Sequence, residues 1–305
     1  MDLRRAIAAL LIGASAIGAG GALPLREAKW IVAEARLEAL TAQPPACLSD
    51  RVSHTQLVIA QAAFKTPLLL GGQAARAGLS CASCHPSGRA NRAFQFPGLS
   101  GAAGTADVTS SIMSHTRGDA IFNPVPIPDL AVDRPKVSRD PLSPALKEFI
   151  RGLIVEEFDG PEPSLTVLDA LVAYVRAMRP EACGPAKRIP ITLAGHLDEA
   201  DAALDMARLA AANGDKDTAQ LMLAAARHGL GLIHERYASP ALSGQRNKII
   251  AADRQVQALQ SSLISSPQLS NARVSAITRR LRPALVTSQT RSLYNPKRLA
   301  HALGQ

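Results

Sequence analysis

Two cysteines and a histidine lie within five consecutive residues, in the run Cys81-Ala82-Ser83-Cys84-His85. This spacing is the C-x-x-C-H pattern of c-type haem attachment. The two thiols can add to the two vinyl groups of one haem, and the adjacent imidazole can bind the iron as its proximal ligand. A bare C-x-x-C would also fit zinc binding or dithiol redox chemistry, and the histidine that ends the run favours haem.

The two remaining cysteines leave alternatives open. Cys47 and Cys183 could complete a set of four thiolate zinc ligands with Cys81 and Cys84, although neither belongs to a second C-x-x-C. They could instead be two free buried thiols. We expect a disulfide between Cys47 and Cys183, because they flank the haem motif in similar contexts, Pro-Pro-Ala-Cys and Pro-Glu-Ala-Cys. By closing a long loop, such a bond can contribute a few kcal/mol.

The N-terminus favours export. A basic start, Met1-Asp2-Leu3-Arg4-Arg5, precedes an uncharged stretch from Ala6 to Leu23 with small residues at Gly20-Gly21-Ala22. We expect residues 1–22 to be a cleaved signal peptide. The alternative is an uncleaved anchor in the inner membrane, but the Ala, Gly and Ser content makes membrane insertion weak. Both alternatives predict a periplasmic location, where disulfides are stable.

Composition and charge limit the fold and the partners. Only 3% of the 305 residues are aromatic, and Ala and Leu dominate, as suits closely packed helices in one or two domains. The net charge of +9 is uneven, because residues 254–305 hold eight Lys or Arg and no acidic residue. This basic face could meet an acidic redox partner protein or an anionic membrane surface, or it could simply be solvated. Export argues against nucleic acid.

The pattern along the chain predicts a mainly α protein, with a c-type haem domain at 45–185 followed by an antiparallel helical bundle at 190–305. An N-terminal helix is expected within 23–44, over residues 25–40, with Trp30 as a packing anchor. The Gly- and Pro-rich stretch 86–145 is expected to be an ordered loop region that wraps the haem. Further helices are expected over 57–64, 143–157, 164–178, 191–213 and 216–237, within 240–268, and over 269–286. The tail around Tyr294-Asn295-Pro296 is expected to be extended or disordered.

Residues 64–183 resemble the bacterial cytochrome c peroxidase and methylamine-utilisation haem protein family. The matching segments are Pro67-Leu68-Leu69-Leu70-Gly71-Gly72, then Gly78-Leu79-Ser80 leading into the haem motif, and Glu157-Phe158-Asp159-Gly160 before the helix at 168–178. The resemblance implies a c-type cytochrome fold, and it indicates peroxidase-like chemistry as an alternative function. Those peroxidases carry two haem motifs, whereas this chain has one. It therefore looks like a single-haem relative that cannot run the two-haem mechanism alone.

The sixth iron ligand separates the candidate functions, because a saturated iron favours electron transfer and an open position allows peroxide to bind. Met113 and His115 are the candidates, in a loop that corresponds roughly to the family's distal loop; another residue or none is the third alternative. Met178 ends a helix, where packing is its expected role. A distal acid would be needed for peroxide chemistry, and the spacing of Glu156, Glu157 and Asp119 singles out none of them.

Arg89, Arg92 and Arg117 are candidate partners of the haem propionates through charge-assisted hydrogen bonds, or ordinary surface arginines. The sequence thus predicts a periplasmic c-type cytochrome that transfers electrons through one covalent haem. The alternatives are a peroxidase-like oxidoreductase with an open distal site and a haem subunit or sensor in a larger redox complex. No phosphate-binding loop, zinc-protease helix or nucleophile elbow is present in the sequence.

Overall fold

The computed structural model describes residues 25–265 and 269–305, apart from the side chains of 271–273. The predicted signal peptide or anchor at 1–22 lies outside the described residues. Helices dominate the described part of the chain, which confirms the mainly α prediction. In these residues, no helix combines the length and the apolar character needed to cross a membrane.

The N-terminal segment is less helical than its spacing predicts. Residues Arg26–Ala28 and Ala33–Ala35 form 3-10 turns, and only Arg36–Thr41 is α-helical, as α1. Between the turns, the Val32 N–H donates to the Ala93 carbonyl (3.0 Å), and the Gln95 N–H donates to the Trp30 carbonyl (2.9 Å). Pairing with this distant loop replaces the helical hydrogen bonds, so the prediction of one helix over 25–40 is wrong in its first two-thirds.

The helices of the first half are short, and two of them begin at a capping serine. The hydroxyl of Ser53 accepts the Gln56 N–H (3.3 Å), and that of Ser164 accepts the Val167 N–H (3.1 Å), so each serine begins a helix. The helices are α2 (His54–Lys65), α3 (Pro67–Leu70), α4 (Gly72–Ala77), α5 (Cys81–Cys84), α6 (Ala145–Gly152) and α7 (Leu165–Ala177). The helix predicted over 143–157 is α6 followed by a π-helical segment, Leu153–Glu157.

The stretch 86–145 follows an irregular path, as predicted from its Gly and Pro content. Strand pairing in the described residues is limited to two antiparallel pairs, β1 (Ala42–Gln43) with β4 (Ile189–Pro190), and β2 (Thr105–Ala106) with β3 (Val125–Pro126). Long-range backbone hydrogen bonds hold the rest of the loop, such as the Leu130 N–H to the Gly88 carbonyl (2.9 Å). This bond brings residues 128–130 onto the segment that follows the C-x-x-C-H motif.

Four long helices form a ring in the second half. They are α8 (Leu193–Ala212), α9 (Lys216–Arg236), α10 (Ser243–Ser265) and α11 (Asn271–Val286). Each packs on the next, and α11 packs back on α8. Because α2 also packs on α8 and α9, one hydrophobic core runs through both halves, from Phe64 and Tyr174 to Leu197 and Leu230.

The C-terminal tail is helical, so its prediction as extended or disordered is wrong. The Asn295 side chain accepts the backbone N–H groups of Lys297 (3.0 Å) and Arg298 (3.4 Å), and this cap begins α12 at Pro296–Ala302. Leu299 of α12 is buried in a cluster with Leu25 and Leu40. The two ends of the described chain therefore dock on each other.

Candidate functional site

The C-x-x-C-H motif forms one short helical turn. The Ser83 hydroxyl accepts the Ser80 N–H (3.0 Å) at the start of α5, and the Cys81 carbonyl accepts the His85 N–H (2.8 Å) at its end. Residues three apart in a helical turn lie on the same side of it, so Cys81 and Cys84 share one face. Both are free thiols, half-buried, and packed against the main hydrophobic core.

Asn91 clamps this turn from the following loop. Its side-chain amide donates to the Ser83 carbonyl (2.8 Å), and its backbone N–H donates to the Cys84 carbonyl (3.0 Å). Its side-chain oxygen accepts the Ala93 N–H (3.1 Å). The bonds to Ser83 and Cys84 satisfy carbonyls that a four-residue helix leaves without partners, and they fasten the loop to the turn that carries the two thiols.

His85 presents a neutral imidazole. Burial lowers the pKa of His85 to about 4, against opposing contributions from the Pro128 carbonyl and Asp129. His85 as a residue is partly exposed, whereas its Nδ1 atom is buried and has no hydrogen-bond partner. A neutral imidazole is the form that ligates iron.

The thiols are not activated. Burial raises the pKa of both Cys81 and Cys84 to about 12, so both are protonated at neutral pH. Dithiol oxidoreductases depend instead on a C-x-x-C thiol whose pKa is lowered. This environment weighs against the dithiol redox alternative for the motif.

The predicted disulfide is confirmed. Cys47 and Cys183 are bonded to each other across 136 residues of sequence. The bond removes two of the four thiolates that the zinc alternative requires. Throughout the described residues, no group of three or more His, Cys, Asp or Glu side chains is placed to hold a metal ion.

The two candidate sixth ligands have opposite environments. Met113 is 1% exposed and belongs to the same core against which Cys81 and Cys84 pack. The His115 side chain is 88% exposed, and both its imidazole Nδ1 and its backbone N–H pair with the Asp159 carboxylate. The structure thus places Met113 in the interior and turns His115 to the surface. Met178 is buried against Gly88.

The three candidate propionate arginines also differ. Arg89 pairs with Asp129 (2.6 Å), and Arg117 pairs with Glu156 (2.8 Å) and Glu157 (3.3 Å). Arg92 is exposed. Carboxylates of the chain itself therefore occupy two of the three guanidinium groups that the sequence offers for haem propionates.

Glu157 is a buried carboxyl that sequence reasoning could not single out. Its Oε2 atom is buried without a hydrogen-bond partner, and burial raises its pKa although Arg117 lowers it. It ends the π-helical segment, a geometry frequent at functional sites. The preceding residue accepts the Ser114 hydroxyl at its carbonyl, so Glu157 lies beside the loop that carries Met113.

A large cleft, which the sequence did not predict, runs along the outer side of α5. It measures about 1350 Å³ and is lined by the N-terminal segment, the loop after α5, the connection 183–192, and α8 and α9. His196 and His228 face it, as do Arg89 and Cys183. Of the motif, Ala82 and Ser83 contribute to the lining, rather than the two thiols and the imidazole.

Comparison of the chain with protein-family models, curated proteins and solved structures found no significant match.

Proposed function

We propose that this protein is an exported c-type cytochrome that transfers electrons through one covalently attached haem. The observation that carries the proposal is the arrangement of the motif: two unbridged thiols on one face of a turn, followed directly by a histidine whose Nδ1 is buried. These residues fit a c-type haem by chemistry and by placement. Bound there, the haem would supply a one-electron Fe(III)/Fe(II) couple.

The chain's own residues have distinct roles in this proposal. Cys81 and Cys84 would tether the porphyrin, and His85 would hold the iron from the proximal side. Asn91 fixes the turn that positions all three. The buried Met113 is our candidate for the sixth ligand, because its thioether belongs to the core against which Cys81 and Cys84 pack, whereas the His115 ring is paired at the surface.

Location and partners follow as part of the same proposal. The Cys47–Cys183 disulfide is typical of oxidising compartments and supports a periplasmic location, with residues 1–22 as the signal peptide or anchor. A redox partner protein must deliver or accept the electron. The basic residues at 254–305 favour an acidic partner or an anionic membrane surface. We also propose that the chain is a single-haem relative of the bacterial cytochrome c peroxidase and methylamine-utilisation haem protein family.

Expression with a c-type maturation system tests the proposal. Covalent haem should remain after denaturation, and the double variant Cys81→Ser/Cys84→Ser should lose it. The matched control, Cys47→Ser/Cys183→Ser, removes the same number of sulfurs and should retain the haem. A wild-type chain that never acquires covalent haem during proper export would overturn the proposal.

A peroxidase-like oxidoreductase is the second candidate, and Glu157 favours it. A buried carboxyl with a raised pKa beside the Met113 loop could hold or move a proton near a small ligand. Optical spectra with and without carbon monoxide and peroxide separate the two functions. A low-spin iron indifferent to both ligands supports the electron carrier, and a high-spin iron that binds them supports the oxidoreductase.

A further inference from the structure

We propose that the Cys47–Cys183 disulfide is an exchangeable redox site that reacts with dithiols, with Arg89 stabilising the thiolate that leaves. The reactant class is a dithiol reductant, small or protein-borne. The inference stands independently of the haem, because it concerns four residues outside the C-x-x-C-H motif and a bond already formed in the chain.

The guanidinium group of Arg89 contacts both sulfur atoms of the disulfide. Its Nη1 atom is 3.1 Å from Cys47 Sγ and 3.5 Å from Cys183 Sγ, while its Nε atom donates to Asp129 Oδ2 (2.6 Å). The carboxylate fixes the guanidinium in this position. A cation in contact with a sulfur lowers the thiol pKa when the bond opens, and a thiol of lower pKa leaves faster in exchange.

The two cysteine residues differ in exposure. Cys183 is half-buried, lines the large cleft, and precedes an exposed stretch from Gly184. Cys47 is 4% exposed. An attacking thiolate entering through the cleft therefore meets Cys183, and Cys47 becomes the leaving group. Cys47 is also the sulfur closer to Arg89, so the charge is placed where the thiolate forms.

One dithiol molecule is enough to reduce the disulfide completely. The first thiolate of the reductant bonds to Cys183 Sγ, the Cys47–Cys183 bond breaks, and its electron pair remains on Cys47 Sγ. The second thiol of the reductant, once deprotonated, attacks the mixed disulfide and releases Cys183 as a thiolate. Two electrons pass to the protein pair, the two protons of the reductant go to the solvent or return to whichever thiolate takes up a proton, and the reductant leaves as a disulfide.

Backbone pairing beside the bond allows it to re-form. The Arg179 N–H donates to the Cys47 carbonyl (2.9 Å), and the Ser49 N–H donates to the Ala177 carbonyl (2.9 Å). These hydrogen bonds hold the Cys47 segment against the end of α7, close to Cys183, without help from the covalent link. Reduction therefore leaves the two sulfurs near each other.

The test treats the full-length, haem-matured protein with dithiothreitol under native conditions, over a time course for the rate of reduction and then to equilibrium at several ratios of reduced to oxidised reagent. Alkylation followed by peptide mass spectrometry reads Cys47 and Cys183 separately, so the result does not depend on whether haem occupies Cys81 and Cys84. We expect Arg89→Gln to slow reduction at least tenfold and to lower the reduction equilibrium constant by about tenfold, or about 30 mV. Arg134→Gln, at an exposed arginine of the same loop that does not line the cleft, is the matched control and should behave as wild type.

Arg89→Lys separates charge from packing, and it retains the cation. It should keep most of the wild-type rate, and thermal unfolding of each variant reports whether it is folded. Equal losses in the Lys and Gln variants, identical behaviour of Arg89→Gln and wild type, or a wild-type bond that opens only on global unfolding would each overturn the proposal.

Discussion

The side chain of Met178, at the end of α7, lies directly against the α-carbon of Gly88, three residues after His85. Gly88 has a left-handed backbone (φ +78°), and the space where a Cβ would stand is filled by the Met178 thioether. The last helix of the first half is thereby packed onto the segment that carries His85, and only glycine permits so close an approach.

Gly88→Ala is therefore expected to destabilise the protein through both conformational strain and a steric clash. We expect a loss of about 3 kcal/mol in the free energy of unfolding, measured by urea titration. Gly78→Ala is the matched control, because Gly78 has a similar φ (+75°) with open space around it. It should cost only about 1 kcal/mol. Equal losses in the two variants would mean that Met178 does not press on Gly88.

The sixth-ligand proposal predicts a spectroscopic difference between two buried methionines. In haem-matured protein, Met113→Ala should open the iron to carbon monoxide and shift the spectrum towards the high-spin form. His115→Ala should change neither the carbon monoxide binding nor the spectrum, because the His115 ring is exposed and paired with Asp159.

Met222→Ala in α9 is the control for the loss of a buried methionine, since Met222 is also fully buried. Both methionine variants should lose about 2–5 kcal/mol of stability, yet only Met113→Ala should change the iron. Carbon monoxide binding by His115→Ala but not by Met113→Ala would reverse the assignment.

The parts that could be predicted from sequence depend on short-range patterns. The C-x-x-C-H motif is complete within five residues and forms the short turn α5, and the Cys47–Cys183 pair follows from the cysteines that remain. The helices of the second half follow apolar spacing. The position of Arg89 on the disulfide and the burial of Glu157 depend on the path of an irregular loop, which distant backbone hydrogen bonds determine. The same long-range pairing broke the predicted N-terminal helix.

His228 is expected to make the protein sensitive to acid. Burial, assisted by Arg26, lowers the pKa of His228 from 6.5 to about 4, although Glu27 opposes this. The unfolded chain binds this proton first, so stability should fall as the pH drops from above 6.5 to about 4 and then level off. The difference between the unfolded and folded pKa values of His228 sets an upper limit of about 3 kcal/mol on this loss of stability. Because the side chain is half-buried and faces the cleft, we expect about 1 kcal/mol.

Urea titrations at pH 7.5 and pH 4 measure this contribution as a difference in the free energy of unfolding. His228→Gln should show a smaller loss of stability between the two pH values than wild type does. His301→Gln, at an exposed position near the C-terminus, should retain the wild-type loss. An unchanged loss in His228→Gln would show that other groups cause the acid sensitivity.

Docking of α12 on the N-terminal segment predicts that the tail contributes to the stability of the whole protein. Leu299 is 0% exposed and packs with Leu25 and Leu40. Leu299→Ala should therefore reduce the free energy of unfolding by about 2–4 kcal/mol. Leu142→Ala removes the same atoms from a side chain that is 92% exposed, and it should change stability by less than about 0.5 kcal/mol. If both substitutions have the same small effect in urea unfolding, the tail does not dock in solution.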